Sequence, residues 1–272
     1  MDKPIGWTSF DVINKLRYAL RKRYGQKKFK VGHAGTLDPL ATGLLLICTG
    51  KWTKKLAELT GLPKSYTGSF ALGATTPSYD RETEIDERFG VDHITLDMLE
   101  KARKSLTGDI EQLPPMFSAV KVDGQRLYEK ARAGQEVERK ARAVTVHEFR
   151  LGELIGLPQV GTFPESSDPR ATASSKSNGM DNFPESSDAV TPNYNEETAS
   201  TDKLPQIDFL VSVSKGTYIR TLAYDFGRAL QSGAYLASLC RTRVGPYELE
   251  DAWDLDALVE YINIGSISDS DT

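Results

Sequence analysis

Cysteine is scarce in this chain: only Cys48 and Cys240 occur in 272 residues. Two thiols cannot build a disulfide scaffold or a thiolate metal site. Histidine is scarce too, and His33, His93 and His147 lie far apart without ligand spacing, so no zinc centre and no other metal is expected. Long apolar runs are missing. The longest, Leu44 to Cys48, falls far short of the roughly 20 residues that span a bilayer. The opening residues, with Asp2, Lys3, Pro4 and Gly6, hold no apolar stretch of an export signal. These absences speak against a membrane-spanning or exported protein and for a cytoplasmic one. Positive charge is also in deficit, with 34 Lys+Arg against 38 Asp+Glu, a net charge of -4 and a pI of about 5.6. Spread evenly, that balance would argue against a nucleic-acid partner.

The charge is not spread evenly. Residues 1–65 carry 13 Lys/Arg and four acids, whereas 157–203 carry eight acids and three bases, and 250–272 seven acids and no Lys or Arg. Without the two acidic stretches the remainder stands at +8. A basic cluster such as Arg21 to Lys30 is by itself a solvated helix face as readily as a polyanion contact. Charges that flank a site decide between the two.

With 39% hydrophobic residues the chain can build a core. Thr8 and Asp11 form a capping-box pattern, and Phe10, Ile13, Leu16 and Leu20 follow at helical spacing, which predicts a helix over about 9–23. Leu44 to Cys48 reads as a buried strand, 53–59 as a short helix and 66–72 as a strand, and Thr95 caps a helix reaching about 106. A strand holds Val144, Val146 and Phe149 and reaches Leu154. Ile207, Phe209, Val211 and Val213 alternate with period two. A helix then carries Ile219, Leu222, Phe226 and Leu230, and Val244 to Leu249 reads as a last strand. Strands and helices in irregular order indicate an α+β fold. Residues 157–203, rich in Ser, Thr, Asn and Pro, contain FPESSD twice, at Phe163 and Phe183. Such a composition cannot form a core. It reads as a disordered acidic insertion in a hairpin turn, or as a segment that orders on a partner. The predicted organisation is one domain over 1–258, interrupted by that insertion, with a flexible acidic tail over 259–272.

The most informative stretch is Gly32-His33-Ala34-Gly35-Thr36-Leu37-Asp38-Pro39-Leu40-Ala41-Thr42-Gly43. Glycines and a proline around one carboxylate imply a tight loop in which Asp38 is held rigid. A lone loop Asp is as a rule a turn former or a cap. The order of residues, however, resembles the catalytic motif of the TruB family of tRNA pseudouridine synthases. Further segments resemble that family in the same order: Asp2-Lys3-Pro4 with Gly6-Trp7-Thr8-Ser9, then Lys64-Ser65-Tyr66, Gly108 to Gln112 with Pro114 to Lys121, and Lys215-Gly216-Thr217-Tyr218-Ile219-Arg220-Thr221-Leu222.

The resemblance implies the pseudouridine-synthase fold, a mixed and largely antiparallel sheet flanked by helices, with an active-site cleft on the sheet. It implies isomerisation of uridine 55 in the T loop of tRNA. The bond from C1′ to N1 breaks, the uracil turns, and the link re-forms through C5. No redox change or net hydrolysis occurs, so no cofactor is required. One positioned carboxylate is needed, acting as nucleophile or base, and the resemblance gives that role to Asp38. Arg220 would pair with Asp38, Tyr66 would stack on the uracil, and Tyr218 would supply a hydroxyl or a ring face. The target base must leave its stack, and His33 would fill or brace the vacated space. Leu239 falls where the family has an apolar wall, and Gly35 and Thr36 belong to the substrate-facing loop. Lys3, Lys15, Arg17, Lys51, Lys54 and Lys64 are candidates for phosphate contacts. A C-terminal PUA domain, carried by many members, is not recognised. The expected partner is the T arm of tRNA, bound by a monomer without an obligate protein partner. Two other readings use the same pocket: a non-catalytic RNA-binding protein, and a glycosylase that releases uracil.

Overall fold

The structure, a computed structural model, describes residues 1–118, 120–122, 124–135, 137–157, 160 and 204–264. Their frame is an eight-stranded sheet in the order β1 (Asp2–Lys3), β3 (Ala41–Leu44), β13 (Ala234–Val244), β5 (Lys64–Leu72), β12 (Gln206–Val213), β11 (Arg142–Ile155) and β8 (Gly108–Gln112), with β14 (Tyr247–Glu248) paired to β13. Neighbours run antiparallel except β3 with β13. Three ribbons flank it: β2 (Val31–His33) with β4 (Ile47–Thr49), β6 (Ala74–Thr75) with β7 (Glu87–Arg88), and β9 (Lys121–Val122) with β10 (Gln125–Arg126). The helices are α1 (Ser9–Tyr24), α2 (Leu56–Gly61), α3 (Leu96–Ser105), α4 (Leu127–Arg132), α5 (Ile219–Ala229) and α6 (Leu255–Ile264). This is the α+β architecture with the mixed sheet that the sequence predicts.

Hydrophobic pattern explains the centre. In β12 the alternating Ile207, Phe209, Val211 and Val213 all point inward, and α5 brings Ile219, Leu222, Ala223 and Phe226 into the same core. Phe70 on β5 stacks on Phe209 at 4.2 Å between ring centres, with Phe226 at 5.5 Å and Phe149 of β11 at 6.3 Å. Each such ring contributes about 2 kcal/mol by leaving water, so this cluster ties three strands to the helix that carries Arg220.

Helix α1 starts as expected, since the Thr8 side chain accepts from the Asp11 N–H and Asp11 in turn accepts from the Thr8 N–H. Gly25, at φ 59°, ends it. Its inner stripe is Ser9, Val12, Ile13 and Leu16, and Phe10 is 61% exposed. Ser9 faces inward because its hydroxyl is held by Leu37, and that turns residue 10 outward.

Four expectations change. Leu44 to Cys48 is not one strand: the chain leaves the large sheet at Leu44 and joins the β2 ribbon at Ile47, so an unbroken apolar run is split between two sheets. The helix expected over 53–59 is a 3₁₀ turn, Gly50–Lys55, followed by α2. The strand expected at Val244 to Leu249 is only the end of β13 plus β14. The main strand, Ala234–Val244, lacks clean alternation because its register shifts twice, at Leu236/Ser238 and Arg241/Arg243. The tail expected from 259 is helical to Ile264 within α6, which packs on α1.

Strands β11 and β12, on either side of the insertion predicted over 157–203, pair as a hairpin up to Ile155 and Gln206. Leu157 and Val160 are buried in the core and belong to the fold. Residues 161–203 and 265–272 lie outside the described residues.

Candidate active site

Asp38 sits at the tip of the loop between β2 and β3, its side chain 43% exposed. The loop is fastened by the N-terminal segment. Ser9 Oγ donates to the Leu37 carbonyl at 3.0 Å and accepts from the Leu37 N–H at 2.9 Å, and the Gly6 N–H donates to the Pro39 carbonyl at 2.8 Å. Lys3 Nζ, wholly buried, donates to the Pro4 and Trp7 carbonyls at 2.8 and 2.7 Å and reaches that of Pro39 at 3.4 Å. The two first motifs of the sequence are therefore one structural unit. Asp38 itself closes a turn through its carbonyl, which accepts from the Ala41 N–H at 3.1 Å.

Two more cations lie under the loop. Arg241 of β13, 1% exposed, donates from Nε to the Leu44 carbonyl at 2.7 Å and from Nη2 to the Gly35 carbonyl at 3.1 Å. Lys64 Nζ donates to the carbonyls of Thr60 and Leu62 at 2.9 and 2.6 Å. Gly35, at φ 91°, lies so close that a Cβ there would stand 3.5 Å from Lys64 Cε and 3.6 Å from Arg241 Nη1. Burial pushes the Lys3 ammonium down to about 8, against an opposing effect of Asp38. It pushes Lys64 down to about 8 as well, helped by Arg241 and Lys215.

Across the cleft stands Arg220, in the first turn of α5 and with a side chain only 6% exposed. A cation at a helix N-terminus opposes the helix dipole, and no acidic side chain lies in that turn. Two carboxylates from elsewhere compensate. Arg220 Nε lies 3.0 Å from Asp38 Oδ2 and 3.5 Å from Asp80 Oδ2, while Nη1 and Nη2 donate to the Ser78 and Phe117 carbonyls at 3.2 and 2.8 Å. Asp80 is the second carboxylate of the site and has a side chain 7% exposed. Its Oδ1 accepts from the Ser78 hydroxyl at 2.6 Å and the Glu82 N–H at 2.9 Å. Burial raises its pKa, opposed by Arg220 and by its hydrogen bonds.

Tyr218 precedes α5 as its N-cap and makes no side-chain cap. Gln112 of β8, buried, clamps its backbone instead, accepting from the Tyr218 N–H at 2.9 Å and donating to the Tyr218 carbonyl at 3.3 Å. Tyr66 lies on β5, buried, in register with Arg241 of β13. Leu239 lies on β13 beside Gly68 and Ala41, half-buried. His33 closes β2 with its Nδ1 buried, and burial holds its pKa below the usual value, opposed by the Gly35 backbone and helped by Arg241. Thr36 is exposed on the lip of the loop.

Of the six cations predicted to meet phosphate, Lys3 and Lys64 are turned inward onto carbonyls and cannot do so as placed. Lys15 pairs with Asp256, and Arg17 reaches the Val31 carbonyl at 3.3 Å. Lys51 and Lys54 are exposed. Sequence reasoning missed Asp80, Arg241 and Gln112. Gln112 lay inside a quoted motif, but the sequence carried no local signal for the other two. Among the described residues no group of three or more His, Cys, Asp and Glu side chains could hold a metal, and no helix is long and apolar enough to cross a membrane.

Comparison with known proteins bears on the family. The sequence profile of the TruB family pseudouridylate synthase N-terminal domain matches residues 21–159, and that of the tRNA pseudouridylate synthase B C-terminal domain matches 220–269. The chain is 46% identical to tRNA pseudouridine synthase B of Flavobacterium johnsoniae over 96% of its own length and 93% of that protein. It is 43% identical to that of Bacteroides fragilis strain YCH46 over 99% and 95%, and 40% identical to that of Chlorobaculum tepidum over 96% and 89%. Among solved structures it resembles a chain of a Cbf5-Nop10-Gar1 complex, with TM-score 0.59 and 25% identity over 96% of this chain and 52% of that one. An H/ACA RNP chain, with TM-score 0.56 and 22% identity over 96% and 51%, shares the fold. The chain thus spans about half the length of these two structural relatives.

Proposed function

The chain belongs to the TruB family and isomerises uridine to pseudouridine at position 55 of tRNA, and we propose that Asp38 carries the reaction with Arg220, Tyr66 and Tyr218 around it. The observation that supports this most is the Asp38–Arg220 pair at 3.0 Å, which joins the Gly32–Gly43 motif to the last motif of the sequence. An adjacent cation favours the ionised carboxylate that a nucleophile or base requires. Asp38 is the more exposed of the two carboxylates on Arg220 and is therefore the one a substrate can reach.

Tyr66 stacks on the uracil, and Tyr218, whose backbone is clamped by Gln112, presents its ring or hydroxyl beside the base. Leu239 lines the apolar wall. The extruded uridine leaves a gap in the T loop that the neutral imidazole of His33 fills, while Gly35 and Thr36 let the loop approach the RNA backbone. Lys51 and Lys54 are left as the exposed phosphate contacts. The protein works on the T arm of tRNA as a cytoplasmic monomer, with one catalytic domain that includes α6 and no obligate protein partner, and needs neither metal nor cofactor.

The test is Asp38→Asn with a tRNA transcript, reading pseudouridine by mass spectrometry. A loss of roughly 10²–10⁴-fold or more is expected. Wild-type pseudouridine formation by the variant would remove Asp38 from the mechanism, and release of free uracil by the native protein would make it a glycosylase.

A further inference from the structure

Tyr79 has φ 63°, a left-handed conformation that a bulky aromatic residue rarely adopts and that persists only where the surroundings enforce it. The enforcement is visible. The Tyr79 ring stacks on Tyr224 of α5 at 4.2 Å with planes 17° apart, and Arg139, which donates to the Pro114 carbonyl at 3.0 Å, lines the same cavity. The Tyr79 N–H donates to the Thr76 carbonyl at 3.0 Å, and its own carbonyl accepts from the Leu236 N–H at 2.9 Å, which ties the turn to β13.

On either side of Tyr79 are two of the residues that hold Arg220: Ser78 through its carbonyl and Asp80 through its carboxylate. The turn is closed further by Thr76 Oγ1 donating to the Asp80 carbonyl at 2.7 Å and by Ser78 Oγ on Asp80 Oδ1. Tyr79 faces away from Arg220 into a separate cavity of about 660 Å³, whose lining includes Phe89, Met116, Phe117, Arg139 and Tyr224 but neither Asp38 nor Arg220. Phe117 joins the two, because its carbonyl is the acceptor for Arg220 Nη2.

We propose that Tyr79 is a positioning residue for pseudouridine formation: its ring, stacked on Tyr224, forces the strained turn that aims Asp80 and the Ser78 carbonyl at Arg220. It does not touch the substrate, and it acts through the guanidinium that orients Asp38. The proposal rests on the assignment of Asp38 as the reacting carboxylate.

Single-turnover pseudouridine formation by the full-length protein, together with tRNA affinity, provides the test. Tyr79→Ala is expected to lower the rate constant about tenfold, since small misplacements of catalytic groups are costly, while the Kd for tRNA stays within about twofold. Tyr79→Phe keeps the stack and is expected to restore most of the rate. In an Asp80→Asn background the further loss from Tyr79→Ala should nearly vanish, because both changes free the same guanidinium. Should Tyr79→Ala fail to fold, Tyr224→Ala removes the stack from the other side and should show the same loss and the same non-additivity. Wild-type rates in both alanine variants, or a loss that multiplies in full with Asp80→Asn, would overturn the proposal. With Asp38→Asn inactive in the same assay, that outcome would strike the positioning role alone.

Discussion

The two walls of the cleft handle buried charge in opposite ways. Beneath the Asp38 loop three cations, Lys3, Lys64 and Arg241, are satisfied by backbone carbonyls. Across the cleft one cation, Arg220, is shared by two carboxylates. A carbonyl offers a partial charge, so a lysine held this way recovers only part of its lost hydration and its pKa falls. A carboxylate offers a full charge, and two of them face Arg220 deep in the protein. The first wall fixes the shape of the loop, and the second fixes the charge that the loop carries. Within the second wall the two carboxylates also part ways: Asp80 is enclosed and hydrogen-bonded, and Asp38 is open to a ligand.

The largest effect should come from breaking the ion-paired wall at its cation. Arg220→Gln leaves Asp80 buried without its partner, an arrangement that costs about 3–5 kcal/mol, and pseudouridine formation should be lost with it. Thermal or urea unfolding checks the first effect; a variant as stable as the native protein would show that the wall is not held by charge. The two carboxylates give the next contrast. Asp80→Asn should destabilise by about 1–3 kcal/mol, because the Ser78 hydroxyl and Glu82 N–H lose a charged acceptor. Asp38→Asn, on an exposed tip, should stay within about 0.5 kcal/mol. Equal losses would erase the distinction between an enclosed and an open carboxylate.

The smallest effect concerns the carbonyl-lined wall and is read through pH. The folded protein binds the Lys64 proton with a pKa of about 8, against 10.5 unfolded. Between these values the unfolded chain holds more protons, so the stability contributed at this site rises with pH over that window. Relative to Lys64→Met, the native protein should gain on the order of 1 kcal/mol from pH 8 to 10.5. A flat difference would mean that Lys64 keeps an ordinary ammonium in the fold.

Much of this site was legible in the sequence because its chemistry is concentrated in short ordered motifs. Asp38 beside Pro39, and Arg220 after Tyr218, stand out by residue type and order. So did the capping box of α1 and the alternation of β12. Asp80 was not legible: Ser78-Tyr79-Asp80 reads as an ordinary polar turn, and only the approach of α5 makes its carboxylate a partner of Arg220. Arg241 was hidden for the same reason, in a strand whose two register shifts blur its pattern. Lys3 and Lys64 were misread as phosphate contacts, since a lysine near an RNA motif gives no sign of whether it points out or in.

The sequence by itself determined which groups are present: a carboxylate in a tight loop, an arginine at a helix start, aromatic rings in ordered motifs, and elements whose apolar spacing builds an α+β sheet. Those properties are local, set by residue type, order and period. The tertiary structure alone decided which charges meet and which are buried. It closed the first motif over Lys3 and Arg241, divided Leu44 to Cys48 between two sheets, and set Asp80 against Arg220. The reason is physical. The energy of a buried charge depends on partners within a few ångströms, and strand register supplies those partners from distant parts of the chain.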